Sequence, residues 1–219
     1  MVDAADAPVV AVLTRAPSSG GKTRLFTSLG VSPDPTLLTA LLLDTLDGAA
    51  APGARLVVAV TPPESCNEVR RIVGDAEVIP QPPGDLGDRM RGVMGALLAR
   101  GAAAVALVGS DVPHINTLAI VEALTIVSRN RNALVLGPAD DGGYYLIAAA
   151  RLPAVFSDIA WGSGEVCSRT ETAALNDGFT VHRLEIMGDV DTADDLRRAA
   201  AAGRAPRTTA WLARHDGWK

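Results

Sequence analysis

Short apolar runs rich in Val, Ile and Leu occupy residues 8–13, 55–60, 76–79, 103–108, 133–136 and 144–148, and their length and composition predict β-strands. Between several of them, residues 36–46, 64–73, 86–98 and 117–127 repeat apolar positions at the 3.6-residue helical period, as expected for amphipathic helices. Strand and helix therefore alternate. The strands are apolar along their whole length, so both faces of the sheet must be covered, as in parallel sheets. The pattern predicts an α/β fold, a three-layer α/β/α sandwich with a mostly parallel mixed sheet. One connection departs from the rule. Residues 140–143, Asp-Asp-Gly-Gly, separate two apolar runs and leave no room for a crossover helix, so they predict a hairpin and one antiparallel strand.

No repeat, low-complexity tract or Ser/Gly linker divides the 219 residues, which read as a single domain spanning 1–219. The tail, 203–219, carries Arg204, Arg207, Arg214 and Lys219 with Trp211 and Trp218. Two Trp residues are rarely left in water, so a docked terminal helix is expected there.

Charge narrows the partners. With 20 basic and 25 acidic residues the net charge is −5, which offers no general attraction to nucleic acid or anionic membrane. No apolar run approaches the 18 to 20 residues of a membrane span, and the N-terminus lacks a basic, leader-like segment. Cys66 and Cys167 form no C-x-x-C pair, and His114, His182 and His215 lack metal-ligand spacing. Unpaired thiols fit a reducing compartment, and a cytoplasmic location is expected. Nothing in the pattern sets an oligomeric state.

Polar groups concentrate where apolar runs end. After the first strand comes Thr14-Arg15-Ala16-Pro17-Ser18-Ser19-Gly20-Gly21-Lys22-Thr23-Arg24-Leu25. Gly20 and Gly21 free backbone amides to face an anion while Arg15, Lys22 and Arg24 supply positive charge, a phosphate-binding combination. Residues 16–23 nearly match the P-loop pattern, with Ala16 in place of its first Gly. A P-loop lysine opens a full helix, whereas Gly30, Pro33 and Pro35 interrupt any helix here.

Residues 103–108 end in Gly109-Ser110-Asp111-Val112-Pro113, which places one carboxylate where a central strand leaves the sheet. Asp111 is a metal-ligand candidate for a hard cation such as Mg²⁺, and an Asp there would equally cap a following helix. Asp189 and Asp191 follow the run 179–186 with one residue between them, so in extended backbone both face the same side and can aim at one ion. Thr192 with Asp195 also resembles a capping box. Asp140 and Asp141 sit in a Gly-flanked turn before Tyr144, and only one of the two can point inward. Acceptor binding by Asp140, Gly142, Gly143 and Tyr144, with general-base work by Asp141, is one reading and turn chemistry is the other. Gly84, Gly87, Asp88 and Arg89 precede a helix and suit a ribose or base contact, with Asp85 as its structural cap. Trp161-Gly162-Ser163-Gly164-Glu165 reads as a mobile flap folding over the acceptor or as a loop anchored by its buried Trp.

Several of these stretches together resemble the GT-A superfamily of nucleotide-dependent transferases, specifically the small glycosyltransferase-like DUF2064 family: Lys22 to Leu25, Gln81 with Gly84 to Met90, Gly109 to Pro113, Gly137 to Leu146, and Asp189 to Thr192. The resemblance implies a nucleotide-diphospho-sugar transferase fold, with a nucleotide over the N-terminal half of the sheet and an acceptor over the C-terminal half, bridged by Mg²⁺ or Mn²⁺. Glycosyltransferases of the superfamily usually carry Asp-x-Asp where this chain has the single Asp111. In that it is more similar to the molybdenum-cofactor and phospholactate guanylyltransferases. The expected activity is metal-dependent transfer of a nucleotidyl group from a nucleoside triphosphate to a small acceptor. Glycosyl transfer from a nucleotide sugar, P-loop phosphotransfer and a non-catalytic nucleotide-binding module remain alternatives. The expected catalytic residues are Lys22, Arg24, Asp111 and Asp141. Nucleotide binding is expected at Arg15, Gly20, Gly21, Lys22, Arg24, Gly87 and Asp88, and metal binding at Asp111, Asp189 and Asp191.

Overall fold

The computed structural model describes residues 6–215. One sheet is built from β1 (Val9–Arg15), β2 (Arg55–Thr61), β3 (Glu77–Pro80), β4 (Val105–Gly109), β5 (Ala133–Pro138), β6 (Tyr144–Ala149) and β7 (Thr180–Arg183). Their spatial order is β3-β2-β1-β4-β6-β5-β7. β6 is antiparallel to β4 and β5, and the other neighbours are parallel. The return at residues 140–143 is therefore the expected antiparallel hairpin. The helices are α1 (Thr23–Leu29), α2 (Pro35–Ala49), α3 (Cys66–Val73), α4 (Leu86–Ala99), α5 (Thr117–Arg129), α6 (Val166–Asn176), α7 (Ala193–Ala201) and α8 (Pro206–His215).

The continuous apolar runs follow from burial on both faces. Val10 and Val12 of β1 join Val58, Val108, Ile120 and Leu46 in a core on one side, while Val9 and Ala11 join Val57, Leu107, Met94 and Leu97 in a core on the other. Each Val or Leu so buried contributes about 1.5–3 kcal/mol. The expected sandwich is thereby formed, and its topology places a ligand site: β3 and β2 lie to one side of β1 and β4 to the other. The order reverses between β1 and β4, and loops leaving the C-terminal ends of strands splay apart there into a crevice.

A third apolar cluster supports that edge. Leu25 and Phe26 of α1, Leu37 and Leu41 of α2, Val190, Leu196 of α7 and Trp211 of α8 pack together. The cluster ties the start of α1, just after Lys22, to the start of α7, just after Asp191. α1 has seven residues and ends at Gly30, whose positive φ of 69° closes the last turn. A long helix starting at Lys22, which P-loop phosphotransfer requires, is thus absent. Asp34 opens the next helix by accepting from the Thr36 N–H at 2.8 Å.

The tail docks as expected through α8. Trp211 is buried, its indole donates to Asp34 Oδ2 at 2.8 Å, and its ring stacks on His215. Trp218 and Lys219 lie outside the described residues. Among the described residues no helix is long and apolar enough to cross a membrane.

Candidate active site

A cavity of about 460 Å³ opens at the switch point, between the loop after β1, the loop after β4 and the start of β6. Its size suits a small organic ligand. Lys22 stands at one end. Its Nζ donates to Asp111 Oδ2 at 2.6 Å and to Asp191 Oδ1 at 2.6 Å, and lies 3.7 Å from Asp189 Oδ2. Arg24 reaches Asp191 Oδ2 at 3.5 Å from the rim, with 79% of its side chain exposed.

Local structure explains how four residues from three loops meet. Lys22 has φ 49° and ψ 40°, a left-handed conformation uncommon for a residue with a side chain, and strain of this kind concentrates at functional sites. Gly109 makes room for Asp111, since a Cβ there would lie 2.6 Å from Asp111 Oδ1. The Val190 N–H donates to the Asp111 carbonyl at 2.9 Å, which locks the two acidic loops in register. With Val190 fully buried on one side of this extended segment, Asp189 and Asp191 both turn toward Lys22. Asp195 and Thr192 form the expected capping box at the start of α7, and Asp195 also accepts from the Asp191 N–H. Asp111 caps no helix; Asn116 does this for α5.

The electrostatics follow from crowding. Burial would lower the pKa of Lys22, but the charge of Asp111 and hydrogen bonds to Asp111 and Asp191 hold it above the usual lysine range. Asp189 is pushed up to about 6, first by burial and then by the neighbouring negative charge of Asp111, against the opposing pull of Lys22. Three carboxylates therefore share one ammonium. An oxygen from each of Asp111, Asp189 and Asp191 lies within 4.8 Å of the others, and this all-oxygen set fits a hard divalent cation.

The other expected residues divide. Arg15, Gly20, Gly21, Asp141, Gly143 and Tyr144 line the cavity with Lys22, Asp111 and Asp189. Of the adjacent acids only Asp141 faces it, accepting from the Gly143 N–H at 2.8 Å, while Asp140 is exposed against Gly188. Gly142 serves packing: its carbonyl accepts from the Cys167 N–H, and a Cβ there would lie 2.1 Å from the Gly164 carbonyl oxygen. Gly87 and Asp88 lie outside the cavity lining. Gly87 is pressed against Trp161 and the Phe156 carbonyl, and Asp88 pairs with Arg91 on the surface. Asp85 is the cap of α4, accepting from the Asp88 N–H at 2.9 Å.

The sequence reading missed Met90 as a wall residue and placed Trp161 and Ser163 together in a flap over the acceptor or a loop anchored by its Trp. Met90, Tyr144 and Trp161 form the far wall, with Tyr144 and Trp161 in an edge-to-face pair 6.5 Å apart. The signal available was Gly87: a glycine inside a helix marks close approach by something bulky.

Residues 45–163, more than half of the chain, match the profile of a family described as uncharacterised proteins conserved in bacteria, DUF2064. The chain belongs to this family. A phosphoenolpyruvate guanylyltransferase of Thermomonospora curvata is 32% identical over 93% of this chain and 88% of its own length. One from Nocardia farcinica is 28% identical over 90% and 87%. Among solved structures, a protein of Desulfovibrio desulfuricans G20 that carries the name nucleotide-diphospho-sugar transferase superposes with a TM-score of 0.79 at 26% identity, covering 96% of this chain and 98% of that one. A CMP:2-keto-3-deoxy-manno-octonic acid synthetase shares the fold, with a TM-score of 0.58 at 15% identity over 91% and 99%. This DUF2064 protein has the nucleotide-diphospho-sugar transferase fold and is a transferase.

Proposed function

We propose that the chain acts as a single-domain, metal-dependent nucleotidyltransferase that moves a guanylyl group from GTP to a small acceptor. The observation that carries this reading is the Lys22 ammonium held among Asp111, Asp189 and Asp191, directly beside the Arg15 to Gly21 loop. That loop offers cations and glycine amides to a triphosphate, and the carboxylates offer oxygen ligands beside it. The guanine base rests on the names of the relatives.

An oxygen of the acceptor attacks the α-phosphorus, the bond from that phosphorus to the β-bridging oxygen breaks, and pyrophosphate leaves with the electron pair. Lys22 and Arg15 neutralise charge growing on the departing phosphates. Where the acceptor is a hydroxyl, Asp141 at the cavity wall takes its proton. Asp111, Asp189 and Asp191 would hold Mg²⁺ or Mn²⁺, which when bound would neutralise further charge on the phosphate oxygens. Gly20 and Gly21 let backbone approach the phosphates, and Gly143 fixes Asp141.

Pyrophosphate release from GTP with Mg²⁺, abolished by chelation, is the expected result. Consumption of a nucleotide sugar without any triphosphate cleavage would favour glycosyl transfer, the second reading, which the name of the Desulfovibrio protein supports.

A further inference from the structure

The two ends of the cavity differ in chemistry. Arg15 and Lys22 are the only cationic side chains lining it among the described residues, and both sit on the first loop. A second part of the lining is apolar, with Tyr144 against both Met90 and Trp161 and with Leu107 and Ile147, and Asp141 is its acid. Apart from Asp141, polar side-chain contact at this end comes from neutral hydroxyls. The Ser163 hydroxyl is buried without a hydrogen-bond partner, and the Tyr144 hydroxyl points at the thioether of Met90, at 3.7 Å, with Thr170 also beside it. A buried hydroxyl without a partner is costly unless a ligand supplies one. Aromatic and thioether walls give a planar or apolar body good contact and give a compact polyanion none.

We propose that this end of the cavity takes an acceptor with an uncharged, ring-sized apolar body that hydrogen-bonds to Ser163, its reactive oxygen turned toward Asp111 and Asp189. The inference rests on the nucleotidyl-transfer reading and adds the class of acceptor. A three-carbon phosphoacid, the acceptor in the names of the curated relatives, leaves the apolar wall unfilled. The transfer balances as above: the acceptor oxygen bonds to the α-phosphorus as pyrophosphate departs, and any hydroxyl proton passes to Asp141.

Phenyl phosphate and phosphoenolpyruvate serve as probes, titrated calorimetrically into the protein holding Mg²⁺ and a non-hydrolysable GTP analogue. Phenyl phosphate should bind at least tenfold tighter. Trp161→Ala should lower its affinity at least tenfold and Ser163→Ala severalfold, with the affinity for the GTP analogue unchanged in both. The milder Ser163→Ala keeps the test valid where loss of Trp161 disturbs the fold. Binding of phosphoenolpyruvate as tight as that of phenyl phosphate, or binding of neither, overturns the proposal. So does a loss of GTP-analogue affinity in the variants, which would make the apolar end a base pocket. Acceptor binding as expected, with no pyrophosphate released from GTP, would overturn the transfer reading while upholding the apolar acceptor end.

Discussion

Lys22 and Asp111 stand 89 positions apart in sequence and meet at 2.6 Å, where the loops leaving β1 and β4 part. The same ammonium binds Asp191, so the lysine is the counter-ion of an acidic cluster. The replacement Lys22→Met should therefore destabilise the metal-free protein, by about 1–3 kcal/mol. This is less than the 3–5 kcal/mol of a fully buried pair, because the three carboxylates keep 25–33% exposure. Thermal melts with and without Mg²⁺ check it: the cation should restore most of the lost stability.

Asp111→Asn keeps the volume and removes the charge. Turnover should fall about 10²- to 10³-fold, the usual cost of losing one group that stabilises charge in a transition state. The fold should persist, because the register bond to Val190 uses the Asp111 backbone carbonyl. Steady-state pyrophosphate release and circular dichroism separate the two effects.

Asp189 gives the site a pH dependence of known sign. Its folded pKa of about 6 stands above the ordinary 3.8, so its contribution to stability is present below about 3.8 and is lost as pH rises through about 6. Melting temperatures of the metal-free protein should fall over that window, and Asp189→Asn should flatten the fall. Divalent-cation affinity should run the other way, weakening as pH drops below 6, since the cation needs the ionised carboxylate.

Away from the site, Asp44 is fully buried and accepts from the Thr208 N–H at 2.7 Å and from the Arg207 guanidinium at 3.0 Å. Asp44→Ala removes the cap of α8 and should cost about 1–3 kcal/mol. Denaturant titration measures the loss, and kcat should be unchanged.

The sheet, most of its helices and the antiparallel return were legible because burial on both faces writes itself into composition, as in the run from Val9 to Leu13. The acidic cluster was legible too: the one-residue spacing of Asp189 and Asp191 and the end of the β4 run pointed the carboxylates to one place. The packing of Gly87 was not legible, because a glycine in the first turn of a helix looks alike in sequence whether it opens toward a phosphate or yields to the Trp161 ring, 74 residues on. The burial of the Ser163 hydroxyl within the 161–165 stretch was not legible for a similar reason, since it depends on tertiary contacts that local pattern does not encode. The helix α6 escaped notice because its exposed face is polar and its apolar positions are few.

The fate of labelled phosphorus tests the central claim most directly. With Mg²⁺, phenyl phosphate and phosphoenolpyruvate present, GTP labelled at the α-phosphorus should pass its label into a new product joined through a phosphoanhydride bond, while label at the γ-phosphorus leaves in pyrophosphate. Both should slow about 10²- to 10³-fold in Asp111→Asn. Label retained in GDP, with the γ-phosphorus released as phosphate or moved to the acceptor, would contradict nucleotidyl transfer.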